Sequence, residues 1–183
     1  MQFAILSVAF VAAALSLALS VAVALRIKRL LNPLVEEGAF KERRGRNLAG
    51  NQVPTYGAFV DSAGEPVSLP PEDDGPWLLT FQSVDCSGCK QQLPTYRRYL
   101  EEQGLPRDRV ISVIRGGTDG LELYEQLIGE YSRIIPADDR VAVAADLGVE
   151  VWPTYLVVGP DGTVSVSRDN AAELPRLVLE IPS

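Results

Sequence analysis

Apolar positions divide the chain into two unlike parts. Residues Phe3 to Leu25 are 23 consecutive uncharged, mostly apolar positions. As a helix at 1.5 Å per residue they would span roughly 34 Å, enough to cross the hydrocarbon core of a bilayer. Further along, apolar residues come in short runs separated by polar stretches. Trp77 to Ser83 reads as a buried strand, and the segment from Lys90 to about Gln103 reads as a helix. Val110 to Ile114 is β-branched and almost continuously apolar, which suits a parallel strand covered on both faces. A helix is predicted from about Leu121 to Tyr131, a short strand at Ile134–Ile135 and a helix over Val141–Leu147. Gly148 to Val158 reads as a strand with Pro153 near its start, where the missing N–H costs no ladder bond. Gly159-Pro160-Asp161-Gly162 turns the chain into Thr163–Ser167, a terminal hairpin. A last helix is predicted from about Ala171 to Leu179, with Asn170 as N-cap and Pro175 disturbing its first turns. Strand–helix alternation closed by a hairpin predicts an α/β sandwich with a central mixed sheet flanked by helices. The roughly 130 residues after the linker suffice for one domain.

The apolar run at the start has two readings. A cleavable signal peptide wants a basic n-region and a shorter core. Ala22-Val23-Ala24 supplies a small-x-small site, but no Lys or Arg precedes the run. An uncleaved transmembrane anchor over 1–25 fits better. Residues 26–51 then form a basic juxtamembrane linker, and 52–183 the globular domain. The linker carries seven basic residues (Arg26, Lys28, Arg29, Lys41, Arg43, Arg44, Arg46) against three acidic ones. The remaining 10 basic and 21 acidic residues lie from 47 onward, a net charge of −11 within a chain of net −7. An acidic domain argues against nucleic acid as a partner. The basic linker suits anionic lipid headgroups.

The chemistry is concentrated in Cys86-Ser87-Gly88-Cys89. These are the only two cysteines among 183 residues, and there is no histidine. A structural zinc site needs four ligands, so zinc would require carboxylates or a second chain. Two buried cysteines close together by chance are the bland alternative. A Cys-x-x-Cys between a strand and a helix instead permits a reversible disulfide. The first sulfur then sits at the positive end of the helix dipole, where its thiolate is favoured for exchange. Gly116-Gly117-Thr118-Asp119-Gly120 lacks the Lys-Ser/Thr of a phosphate-binding loop and reads as a connection into the next helix. No nucleotide, flavin or metal motif is present.

Taken together, residues from about 52 to 181 resemble the membrane-anchored thioredoxin-like disulfide oxidoreductases of the TlpA/ResA type. The resemblance rests on Cys86-Ser87-Gly88-Cys89, on Trp152-Pro153-Thr154, and on Pro94, which matches a proline of the active-site helix. It rests also on Val53-Pro54-Thr55-Tyr56 followed by Asp61-Ser62-Ala63-Gly64-Glu65-Pro66-Val67-Ser68-Leu69, which looks like the family's opening hairpin. A weaker analogy joins the layout to the accessory disulfide proteins of methylamine dehydrogenase maturation. The resemblance implies a thioredoxin-like fold, Cys86 as nucleophile and Cys89 as resolving thiol. It implies a cis Pro153 against the disulfide, and a substrate groove at Trp152, Pro153 and Thr154. It also implies a protein disulfide or dithiol as substrate.

Two positions depart from the family. Asp85 replaces the usual Trp before the first cysteine, and an adjacent carboxylate opposes the thiolate. Thr80 stands where the family often has a buried acid or amide. With no third cysteine, electrons must come from a separate redox partner. The resemblance places the domain on the outer face of the membrane, whereas the basic linker alone would place it in the cytoplasm. A membrane-anchored binding module with a structural disulfide is the alternative function. A thiol peroxidase is a third, although Gln82-Ser83-Val84-Asp85-Cys86 lacks its Pro-x-x-x-Thr-x-x-Cys pattern.

Overall fold

Trp77–Ser83 forms β3, and every one of its seven residues is buried. A strand covered on both faces needs apolar side chains at odd and even positions alike, hence its unbroken Trp-Leu-Leu-Thr-Phe start. In this computed structural model the described residues are 26, 45–72, 75–116, 120–138 and 142–177. Around β3 lie β4 (Val110–Arg115), β5 (Arg133–Ala137), β6 (Thr154–Val158) and β7 (Val164–Arg168), in the order β5-β4-β3-β6-β7. β4 runs parallel to β3 and to β5, while β6 is antiparallel to both β3 and β7. The register sets Ser83 beside Arg115 and Phe81 beside Thr154. The C-terminal end of β3, the end of β4 and the start of β6 therefore share one edge. Pro136 is tolerated in β5 because that strand is at the edge of the sheet.

Helices α1 (Ser87–Gln103) and α2 (Leu121–Ile128) cover one face. Leu93, Tyr96 and Leu100 of α1 pack there with Tyr124 and Ile128 of α2 and with Leu78, Ile114 and Tyr155 of the sheet. α1 ends at Gly104, whose φ of 61° is left-handed and whose N–H donates to the Leu100 carbonyl. Helix α3 (Ala142–Leu147) covers the other face together with β1 (Tyr56–Val60), β2 (Pro66–Leu69), Leu48 and Val53. Leu48 is 1% exposed although it falls in the stretch read as linker. Residues 50–53 run along the end of β7, with Gly50 N–H donating to Val164 O and Val164 N–H to Asn51 O. This shields an edge that would otherwise pair with another chain.

The opening hairpin is pinned by one carboxylate. Asp61 accepts from the N–H groups of Ala63 and Glu65 at 3.0 and 2.9 Å. Its Oδ2 lies 2.7 Å from Arg133 Nε and 3.6 Å from Arg107 Nη2. Arg133 also donates to Pro66 O, so the β1–β2 turn is tied to the edge of the main sheet.

Three expectations need correction. The strand read over 148–158 begins only at Thr154, so Pro153 lies just before it in a bend rather than within it. The last helix predicted over 171–179 is a single 3₁₀ turn at Ala171–Glu173, and Leu174–Leu177 are not helical. Asn170 does cap that turn, through the N–H of Ala172. Pro175 then disfavours helical backbone at Leu174, which is extended (φ −66°, ψ 134°). The tail is strapped along α1 instead: Tyr99 OH donates to Pro175 O, and Leu177 N–H donates to Gln103 Oε1. The helix read as ending near Tyr131 stops at Ile128. Among the described residues no helix is long and apolar enough to cross a membrane. The anchor expected over 1–25 lies outside them, as do residues 27–44 of the linker.

Burial alone would raise the Asp61 carboxyl. The Glu65 N–H, Arg133, the Ala63 N–H and Arg107 outweigh it and hold the group below the ordinary Asp range. A depressed folded-state pKa stabilises above the unfolded value, near 3.9, and that stability is lost as pH falls through the folded value. Asp61→Asn is expected to cost roughly 2 kcal/mol at pH 7 by removing the charged hydrogen-bond partner of Arg133. The difference from wild type should shrink below about pH 4. Urea denaturation of both proteins across pH checks this, and a gap that does not change with pH would contradict it.

Candidate active site at the first turn of α1

β3 ends at Ser83, and Val84–Asp85 turn the chain into α1. Cys86 is the N-cap of that helix, with extended backbone (φ −91°, ψ 109°). Its Sγ accepts from the N–H of Cys89 at 3.0 Å, a place usually taken by a Ser, Thr or Asp oxygen. Its carbonyl accepts from Lys90 N–H at 3.2 Å. Cys86 and Cys89 are joined as a disulfide with their Cα atoms 5.2 Å apart. The two sulfurs differ in access: Cys86 is half-buried, whereas Cys89 is 0% exposed. In the reduced state the helix N-terminus and the Cys89 N–H would favour the Cys86 thiolate.

Across the site the Trp152–Pro153 bond is cis. The Trp152 carbonyl oxygen is 3.4 Å from Cys86 Sγ. Its negative end faces the sulfur and favours a protonated thiol that can donate to it, the opposite of the helix terminus. Pro153 is buried. Thr154 is buried too, and its Oγ1 donates to Val151 O at 2.7 Å, so the hydroxyl holds this turn together. Trp152 is half-buried, with its ring edge-on to Phe81 at 5.9 Å and 89°. Asp85 is exposed. Thr80 lies deep under the helix and donates to Ser112 Oγ, which is 2.7 Å from Ser132 Oγ. Thr80 carries no titratable group, so it cannot act as an acid. Among the described residues no three His, Cys, Asp or Glu side chains cluster as metal ligands.

Three contributors carry no sequence motif that marks them as site residues. Arg115, the last residue of β4, places its guanidinium 4.8 Å from the centroid of the Trp152 ring. Gly116 follows with φ +115°, and a Cβ there would overlap Val84 and come within 3.4 Å of Asp85 Oδ2. Only glycine lets this loop lie so close to the turn that delivers Cys86. Tyr124 OH donates to Ser83 O at 2.8 Å and ties α2 to the end of β3. Burial pushes that phenol up to about 12, so it remains a donor at neutral pH. The available signal was position: Arg115 and Gly116 lie just at and beyond the C-terminal end of a parallel strand, where α/β sheets carry their sites.

The mixed sheet with its Cys-x-x-Cys at the start of α1 is a thioredoxin-like fold. Its structural neighbours are thiol–disulfide oxidoreductases. A thio-disulfide isomerase from Thermus thermophilus is 29% identical with a TM-score of 0.51, covering 67% of this chain and 86% of its own. The thioredoxin domain of a thiol–disulfide oxidoreductase from Bacteroides vulgatus is 19% identical with a TM-score of 0.52, covering 65% and 86%. A thiol:disulfide interchange protein of the thioredoxin family from Chlorobium tepidum is 15% identical with a TM-score of 0.53, covering 67% and 89%. No protein-family model matches the chain, and no curated protein does.

The unequal exposure of the sulfurs leads to a direct expectation. After reduction, iodoacetamide should modify Cys86 at least about tenfold faster than Cys89, since only an accessible thiolate reacts. Peptide mapping of partly alkylated protein measures the ratio. Faster labelling of Cys89 would reverse the assignment of the two thiols.

Proposed function

We propose that the protein is a membrane-tethered thiol–disulfide oxidoreductase acting on protein disulfides or dithiols through Cys86 and Cys89. The observation that carries this reading is the pair itself. One sulfur is accessible and caps a helix, the other is covered, and the two are disulfide-bonded. The likeness to solved oxidoreductases supports it.

In the reducing direction the Cys86 thiolate attacks one sulfur of the substrate disulfide. A bond forms between Cys86 and that sulfur, and the other substrate sulfur leaves as a thiolate that takes up a proton. Cys89 then loses its proton and attacks Cys86 Sγ. The mixed disulfide breaks, the second substrate thiolate leaves, and the Cys86–Cys89 disulfide holds the two electrons' worth of oxidation. Run backward, the same steps oxidise a dithiol. The backbone at Trp152–Pro153 would align the substrate chain beside Cys86. A separate redox partner resets the pair, since the chain holds no other cysteine.

The tether in this reading is the apolar run of residues 3–25, with the basic linker against anionic headgroups and the domain on the outer face of the membrane.

Cys89→Ser should accumulate mixed disulfides with cellular proteins on non-reducing gels, because the release step is removed. Cys86→Ser should trap none and should lose exchange activity by about 10³-fold or more. If neither variant changes reduction of a protein disulfide, the reading fails. Asp85→Asn should shift the thiolate absorbance of the reduced protein to lower pH, by removing a like charge beside Cys86. An unchanged or upward shift would remove Asp85 from the site.

A further inference from the structure

Trp152 faces two ways. Its carbonyl meets Cys86 Sγ at 3.4 Å, and its indole carries the Arg115 guanidinium at 4.8 Å. Arg115 ends β4 directly beside Ser83, the end of β3, so its charge lies on the edge that bears the dithiol. The platform is held in place, because the indole packs edge-on against the fully buried Phe81. Stacking on a ring engages the face of a guanidinium and leaves the N–H donors around its rim available.

Among the described residues no carboxylate forms an ion pair with those donors. Arg97, Arg107 and Arg133 are each ion-paired, whereas among the described residues none pairs with Arg115. Asp85 lies on the same rim with its carboxylate beside Gly116, yet it makes no ion pair with Arg115. In a domain of net −11 such a cation is conspicuous by location. A cavity of about 300 Å³ beyond Thr154 is different. It is lined by Arg46 and Arg168 but also by Asp169 and Glu173, and so does not select one sign of charge.

We propose that Arg115, seated on Trp152, is a specificity element that pairs with a carboxylate side chain next to the reacting cysteine of the substrate. The inference rests on the oxidoreductase reading above. A substrate sulfur bonded to Cys86 lies next to the Trp152 backbone. An extended chain advances about 3.3 Å per residue, so a Glu or Asp one or two residues from that cysteine comes within reach of the guanidinium. The planar fork then meets the carboxylate in two parallel hydrogen bonds. A Lys or Arg at the same place would be repelled.

The test uses the reduced full-length protein and two disulfide-linked peptides that differ only in Glu or Gln beside the cysteine. Each rate is divided by that of the same peptide with dithiothreitol, which removes the peptide's own reactivity. Wild type should prefer the Glu peptide by about tenfold, as for a partly exposed charge-assisted pair. R115Q should bring the ratio close to one, and R115K should restore part of it, keeping the charge without the fork. The wild-type ratio should also fall as salt rises from about 0.05 to about 0.5 M. A wild-type ratio near one, a ratio unchanged in R115Q, or one indifferent to salt would overturn the proposal. The salt series decides the matter if R115Q does not fold. Hydroxyethyl disulfide separates the two levels. If wild type exchanges with it but ignores the Glu, only the specificity inference fails. If wild type exchanges with no disulfide at all, the oxidoreductase reading fails and this inference with it.

Discussion

The hydrogen bond from Cys89 N–H to Cys86 Sγ joins structure to chemistry. A helix leaves its first N–H groups without partners, and a capping acceptor is worth about 1 kcal/mol. Here the acceptor is the sulfur that the disulfide uses, so the same contact orients the dithiol and closes the helix. The placement works only if β3 stops at Ser83 and the chain turns at once. That requirement accounts for much of what surrounds the turn. Tyr124 holds the Ser83 carbonyl, and the loop after β4 packs at Gly116 and Gly120 against Val84. The turn is braced from α2 and from the neighbouring strand, by groups that touch neither sulfur.

Opposed dipoles meet at Cys86. The N-terminus of α1 and the Cys89 N–H favour charge on the sulfur, while the Trp152 carbonyl at 3.4 Å favours a proton there. A sulfur held between such influences can serve as nucleophile and as leaving group, and exchange in either direction needs both. The polar layer beneath α1 stays neutral. Thr80, Ser112 and Ser132 are hydroxyls, and burial raises the phenols of Tyr96 and Tyr155 far above neutrality. The charges that bear on the site are therefore those on its rim, Asp85 and Arg115 among them.

Much of this was legible in the chain. An unbroken apolar run announces a central strand, and the two cysteines at its junction with a helix announce a disulfide at a helix start. Pro153 at a strand entry and Gly159–Gly162 mark β6 and the final hairpin. These features are local: each depends on backbone preferences within a few residues. The predicted terminal helix fails for one local and one tertiary reason. Asn170 and the apolar residues after it suit a helix locally, but Pro175 disfavours helical backbone at Leu174, and α1 offers partners to an extended tail through Tyr99 and Gln103.

By itself, then, the sequence determined the order of strands and helices and the position of the dithiol, because apolar period, turn residues and cysteine spacing act over short distances. Tertiary structure alone decided which side chains meet there. Arg115 reaches Trp152 across 37 positions of sequence, Tyr124 reaches Ser83 across 41, and Asp61 finds Arg133 across 72. Those meetings follow from the register of β3 with β4 and β6 and from how the hairpin docks on β5. No local pattern encodes them, since a one-residue slip in register would send strand residues such as Arg115 and Arg133 to the other face of the sheet.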